Sequence, residues 1–174
     1  MLLALADIEE PALAATVDEL RSHGARAIGV PTNVAEPSEV DALAEATMTE
    51  FGRVDLVCNN AGVAVSSRIT DTSLEAWRWL VDTNVFGVIH GCRTFLPLLL
   101  AQDSGHIVNT ASVLGICGAF GIAPYSATKA AVLALSEAIA SDLLMAGSHV
   151  GISVICPGFV KTRLGDSERN SPAA

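Results

Sequence analysis

The chain has 174 residues, 51% apolar and 17% charged, which excludes a disordered polymer and allows one domain with a real hydrophobic core. Ten basic residues face nineteen acids, giving a formal charge of -9 and a pI near 4.7. Nucleic-acid binding needs clustered Lys and Arg to neutralise phosphates, so a nucleic-acid partner is excluded.

The first ten residues, MLLALADIEE, are apolar for six positions and then acidic. They lack the basic leader and long apolar core of a signal peptide, and the chain reads as cytoplasmic. Residues 2–6 form a first strand, followed by Asp7. An acid there can cap the next helix, or can accept hydrogen bonds from adenosine ribose hydroxyls while repelling a 2'-phosphate. Taken alone, the cap is the simpler reading.

A helix over 11–23 opens near Pro11 and stops at Gly24, the usual asymmetry of helix ends. Strand 26–30 leads to Asn33 and Val34. Helix 38–51 follows Pro37, with Ser38 as a candidate cap, and ends at Gly52. Strand 55–58 runs into Asn59, Asn60, Ala61 and Gly62, small residues that let a flat ring or a phosphate approach the backbone.

Residues 73–100 form one long helix or two abutting ones, with Pro97 disturbing the last turns. Its greasiest part, 85–101, is interrupted by His90, Arg93 and Pro97, which marks a buried helix and no membrane span. Strand 106–109 ends at Thr110, Ala111 and Ser112. The apolar run 113–123 is either a greasy pocket wall near Ser112 or a surface loop. An alanine-rich helix spans 124–146 and a last strand 151–155. The polar tail 166–174 is expected to fray.

The strands are apolar on successive residues, as expected of parallel strands covered on both faces. Their alternation with helices implies a doubly wound, three-layer α/β/α sheet. Cys58, Cys92, Cys117 and Cys156 lie in apolar stretches without paired spacing and read as reduced core thiols. Neither they nor the four histidines have a metal-ligand pattern, so no metal site is expected.

In such sheets ligands bind beyond the carboxyl ends of the strands. Tyr125 and Lys129 stand one helical turn apart at such a place, and Tyr125 is the only tyrosine. A free phenol, with a pKa of about 10, is a poor base at neutral pH; a nearby ammonium favours the phenolate. Ser112 stands thirteen positions earlier, at the end of the neighbouring strand. It lacks the GxSxG context of a serine hydrolase.

NNAG at 59–62, Asn84 within DTNVFGV, Ser112, YSATK at 125–129 and PGFVKT at 157–162, in that order, resemble the short-chain dehydrogenase/reductase superfamily. The resemblance implies a Rossmann-like fold and NAD(P)-dependent interconversion of an alcohol and a carbonyl, with NAD preferred to NADP. It implies that Tyr125 is the general acid/base, that Lys129 lowers its pKa and holds the nicotinamide ribose, and that Ser112 orients the substrate oxygen. Asn84 would hold a water relaying protons to Lys129. Asp7, now a ribose ligand, would line the adenine-ribose side with Asn33, Val34, Asn60, Ala61 and Gly62. Pro157, Gly158, Val160 and Thr162 would flank the nicotinamide.

The implied partners are a small alcohol or ketone and further copies in a homodimer or homotetramer. Gly87, Gly91, Ala130, Ala131 and Ala134 would allow close helix packing between those copies. Helix propensity and burial against the sheet account for the alanines equally well.

No glycine-rich cofactor loop precedes Asp7, and little follows Thr162. The resemblance therefore implies a truncated dehydrogenase, a partial Rossmann domain over 1–165 lacking the usual first and last strands. An in-frame glycine-rich strand-turn-helix upstream in the source gene is the expected complement. Without that central strand, the sheet must either close up in a new pairing or keep a gap. A catalytically inactive fragment that only binds or oligomerises is the alternative reading; a regulator on the same fold is disfavoured by the intact catalytic set.

Overall fold

The structure, a computed structural model, describes residues 1–171. The short apolar runs become five strands: β1 (Leu2–Asp7), β2 (Arg26–Pro31), β3 (Leu56–Asn59), β4 (His106–Thr110) and β5 (Gly151–Ile155). The 3.6-residue patterns become α1 (Glu10–Ser22), α2 (Pro37–Phe51), α3 (Leu74–Val81), α4 (Gly87–Gln102), α5 (Val113–Ile116) and α6 (Ala123–Met145). All strand pairs are parallel, and the result is a Rossmann-like α/β fold.

The sheet is in two pieces. β1 pairs with β2, from Leu2 opposite Arg26 to Asp7 opposite Pro31, while β4 lies between β3 and β5. Among the described residues no strand joins β1 to β3. Of the two expected outcomes the gap is the one realised, and it leaves one edge of β1 and one edge of β3 without ladder hydrogen bonds.

α1 covers β1 and β2 by placing Leu13 and Val17 over Leu3, Leu5 and Ala27. Gly29 lies directly beneath: a Cβ there would come within 3.0 Å of Val17 and 3.1 Å of Leu13. α2, α4 and α6 share a larger core with β3 to β5, around Val57, Val88, Phe95, Leu99, Ile107 and Val132. Full burial of a side chain such as Leu99 stabilises by about 2–3 kcal/mol. The opposite side of β3 carries Leu56 and Cys58, both exposed.

Residues 74–102 are long and apolar enough to cross a membrane by composition, with mean hydropathy 1.3. Leu80, Val88, Cys92, Phe95 and Leu99 are nevertheless buried in the protein's own interior, as in a core helix.

Several local expectations are corrected. Pro37 is itself the first residue of α2, so Ser38 sits inside the helix and Glu36 is the cap residue. Pro97 does not end α4, which runs on to Gln102. Its ring is on the solvent face, where the carbonyl it frees can meet water. The long helical stretch is continuous from Leu74 to Gln102, as expected, but α3 and α4 are joined by a wider π-helical turn over Asp82–Phe86, closed by the Gly87 N–H donating to the Asp82 carbonyl.

Only Cys92 is a buried thiol; Cys58 and Cys117 are exposed and Cys156 is half-buried. Of the tail expected to fray, the first residues belong to a 3₁₀ helix over Arg163–Asn170, with Ser167 buried. The remaining residues of that expectation, 172–174, lie outside the described residues.

Candidate active site

The carboxyl ends of β3 and β4 and the first turns of α6 converge on one buried cluster. Ser112 follows β4 in extended conformation and caps α5, its Oγ accepting from the Leu114 N–H at 3.1 Å. α5 lies so close to α6 that a Cβ on Gly115 would meet the Lys129 carbonyl carbon at 2.6 Å. This brings Ser112 to the first turn of α6, where Tyr125 and Lys129 share the buried face. The Val113 N–H donates to the Pro157 carbonyl at 3.0 Å, so the segment after β5 joins the same place.

Lys129 lies 3% exposed, its Nζ donating to the Thr110 carbonyl at 2.8 Å and standing 5.8 Å from the centre of the Tyr125 ring. Burial lowers its pKa to about 8. That single bond is its only hydrogen bond among the described residues, so two of its three N–H donors remain for a ligand.

Tyr125 departs from expectation. Burial raises the pKa of the phenol, with a hydrogen bond to the Ser112 hydroxyl pulling the other way. Burial is the larger cause for the phenol, and the same cause weakens Lys129 as a cation.

Asn84, fully buried in the π-helical turn, fastens the loop after β3. Its Oδ1 accepts from the Val63 N–H at 2.8 Å, and its Nδ2 donates to the Val63 carbonyl at 2.9 Å and to Thr128 Oγ1 at 3.0 Å. The side chain is thus committed to the fold. Gly62 is needed here because a Cβ would come within 3.3 Å of both Asn84 Oδ1 and Lys129 Nζ. Asn60 accepts from Thr110 Oγ1 at 3.2 Å, while Ala61 is exposed.

The residues expected on the nucleotide side form a second group. Asp7 ends β1 and Asn33 lies two residues beyond the end of β2, the two places linked by the Thr32 N–H donating to the Asp7 carbonyl at 3.0 Å. Asp7 is exposed; one carboxylate oxygen accepts from the Glu9 N–H at 2.8 Å. Since Glu9 is the cap residue of α1, the plain cap reading of Asp7 is corrected. Asn33 Oδ1 accepts from the Ala35 N–H at 3.1 Å, tying its own turn. Val34 packs on α4, where a Cβ on Gly87 would clash with it at 2.7 Å.

Gly158, Val160 and Thr162 are exposed, and Thr162 caps the 3₁₀ helix. In the run 113–123, Ile116 and Phe120 are 64% and 93% exposed, so it behaves as an open wall beside Ser112.

Two features carried no sequence signal. Asn59 donates to Asn109 Oδ1 at 2.8 Å and Asn109 to Ser136 Oγ at 3.0 Å, a buried polar chain under the site. Gly91 makes room for it: a Cβ would come within 2.0 Å of Asn59 Oδ1. Gly87 and Gly91 are therefore used inside the chain, whereas Ala130, Ala131 and Ala134 are exposed.

The second feature is a polar strap. Ser167 Oγ accepts from the Ala64 N–H at 2.8 Å and donates to its carbonyl at 3.1 Å, while Arg163, Arg169 and Asn170 all reach Glu9. Partners some 160 positions apart leave no pattern for sequence reading to find.

The family model for short chain dehydrogenases matches residues 1–173. A CLA biosynthesis dehydrogenase/reductase of Lactiplantibacillus plantarum is 35% identical over 99% of this chain and 61% of its own. A 3-oxoacyl-[acyl-carrier-protein] reductase of Synechocystis is 36% identical over 91% of this chain and 63% of its own. A short chain dehydrogenase/reductase of Burkholderia phymatum, solved in complex with NAD, is 47% identical with a TM-score of 0.97, covering 99% of this chain and 62% of that one. The chain thus spans about six-tenths of the length of these relatives. It belongs to the short-chain dehydrogenase family.

Proposed function

We propose that this chain carries the acid/base centre of an NAD-dependent oxidoreductase that interconverts an alcohol and a carbonyl by hydride transfer. The observation that carries the reading is the buried trio of Ser112, Tyr125 and Lys129, with two unused Lys129 donors. The residues fit a dinucleotide: those donors suit the nicotinamide ribose hydroxyls, and the exposed Asp7 carboxylate suits an adenosine ribose and disfavours a 2'-phosphate. NAD is therefore favoured over NADP, and the NAD complex of the Burkholderia phymatum relative supports the same class.

When bound, the nicotinamide would supply or accept the hydride. In the reducing direction the Tyr125 phenol donates its proton to the carbonyl oxygen. The Ser112 hydroxyl holds that same oxygen. In the oxidising direction the phenolate takes the alcohol proton, a step that improves as pH rises.

Asn84 acts here as a positioning residue; with its side chain spent, any relay water must be held by its main chain. Asn33, Val34, Asn60, Ala61 and Gly62 line the adenosine side, and Pro157, Gly158, Val160 and Thr162 the nicotinamide side. The substrate is a small alcohol or ketone, and the assembly is a homodimer or homotetramer through the faces of α4 and α6.

A second reading, a non-catalytic fragment that binds or associates, draws on the break between β1 and β3. Tyr125→Phe separates the two. On the first reading the substitution lowers turnover about 10²–10⁴-fold while NADH still binds. Turnover indifferent to Tyr125→Phe contradicts it. A folded but inactive chain that self-associates without cofactor supports the second.

A further inference from the structure

The segment after β5 gathers basic residues in an acidic protein, interleaved with Asp166 and Glu168. Of ten basic residues, three (Lys161, Arg163 and Arg169) fall within nine positions. Two of them, with Asn170, converge on one carboxylate. Arg169 Nε donates to Glu9 Oε1 at 2.9 Å with a second, shorter contact from Nη2; Asn170 Nδ2 donates to the same oxygen at 2.9 Å, and Arg163 Nη1 reaches Oε2 at 3.5 Å.

Position gives the cluster its meaning. Glu9 stands two residues beyond Asp7, and the other end of the strap is pinned through Ser167 to Ala64, two residues beyond Gly62. The arginines therefore lie across the mouth of the crevice between the carboxyl ends of β1 and β3, on the side where a dinucleotide would pass.

We propose that Arg163, Arg169 and Asn170 form a diphosphate-binding subsite in which the Glu9 carboxylate is an internal stand-in for the ligand anion. This rests on the dinucleotide reading above and assigns it residues that the motif comparison did not. The guanidinium fork fits a carboxylate and a phosphate alike, and a diphosphate brings more charge and more acceptor oxygens than one carboxylate. Arg163 is 64% exposed in its side chain and its pair with Glu9 is weak and exchangeable, whereas Arg169, 33% exposed, holds Glu9 more firmly and is the arginine a ligand must win over. The ligand would displace Glu9, and the strap would then close on the ligand instead of on the protein.

The test is calorimetric titration of inorganic pyrophosphate into the 174-residue protein and into Glu9→Gln, Arg163→Gln and Arg169→Gln, with thermal melts confirming folding. The proposal expects saturable binding that tightens several-fold in Glu9→Gln, weakens about tenfold in Arg169→Gln and less in Arg163→Gln, and falls steeply with salt. Adenosine, which has no phosphate, should be indifferent to all three. Folded Glu9→Gln that fails to bind pyrophosphate, or arginine variants that bind it like the parent, overturn the subsite.

NADH titrated in parallel separates the two readings. NADH binding that ignores both arginines keeps the cofactor and removes the subsite. Arginine-dependent pyrophosphate binding without NADH binding keeps the subsite and removes the cofactor.

Discussion

β1, α1 and β2 bury three apolar residues between them, Leu13, Val17 and Ala27, whereas the part built on β3 to β5 with α2, α4 and α6 buries thirteen. The larger part also holds the buried chain Asn59, Asn109 and Ser136 and the committed side chain of Asn84. The smaller part is tied across the gap by Val34 packed on α4, by ion pairs such as Arg26 with Glu50 and by the strap on Glu9. The acid/base chemistry proposed for Ser112, Tyr125 and Lys129 needs groups fixed to within a fraction of an ångström and kept dry, as side chains packed in the larger part are. A nucleotide-binding edge can be looser, because its ligand contributes order when it binds.

The difference can be broken first by cavity substitutions. Leu99→Ala, at a fully buried position in the large core, should cost about 3–5 kcal/mol and lower the main unfolding transition. Leu13→Ala should cost about 2–3 kcal/mol and act mainly on β1, α1 and β2, seen as faster amide exchange there with β3 to β5 still protected. Equal exchange in both parts after Leu13→Ala would mean that they unfold as one unit.

Gly91→Ala probes the polar chain beneath the site. The added methyl meets Asn59 at 2.0 Å, so either α4 moves or Asn59 abandons Asn109. A loss of about 2–3 kcal/mol is expected in urea unfolding. A neutral outcome would show that the chain shifts freely and does not fix the site.

A more gradual effect separates the parts by pH. Lys129 has a folded pKa of about 8 against 10.5 for a free side chain. Between those values the unfolded chain binds the proton that the folded chain has released, so stability rises with pH across that window, by up to roughly 3 kcal/mol. Above about pH 10, Tyr125 acts in the opposite sense, because its raised pKa lets the unfolded chain lose its proton first. The urea midpoint should therefore climb from pH 8 towards 10 in the parent and stay flatter in Lys129→Met. Parallel curves would place the titration elsewhere.

The sequence made the site's chemistry more legible than its supports. Strand 151–155 is found where the apolar run predicted it, and 2–6, 26–30 and 106–109 each extend one residue further, because hydrogen-bonded ladders outlast hydrophobic runs. Tyr125 and Lys129 were readable because a four-residue spacing on a helix fixes a shared face. The rise of the Tyr125 pKa was not, since it depends on how completely the surroundings desolvate the phenol. Nor was the π-helical turn that buries Asn84, for the residues over Asp82–Phe86 satisfy an ordinary helical pattern as well. Gly87 and Gly91 invited a reading as contacts between subunits, but Val34 and Asn59 occupy the space beside them, and only three-dimensional contact shows that.

The central claim is that the crevice at the strand ends takes a nicotinamide nucleotide against Lys129. It is tested most directly by titrating NADH into the folded 174-residue protein and into Lys129→Met, following nicotinamide fluorescence. The account predicts saturable enhancement in the parent and markedly weaker binding in the variant. A parent that is folded by circular dichroism yet gives no saturable signal would contradict it.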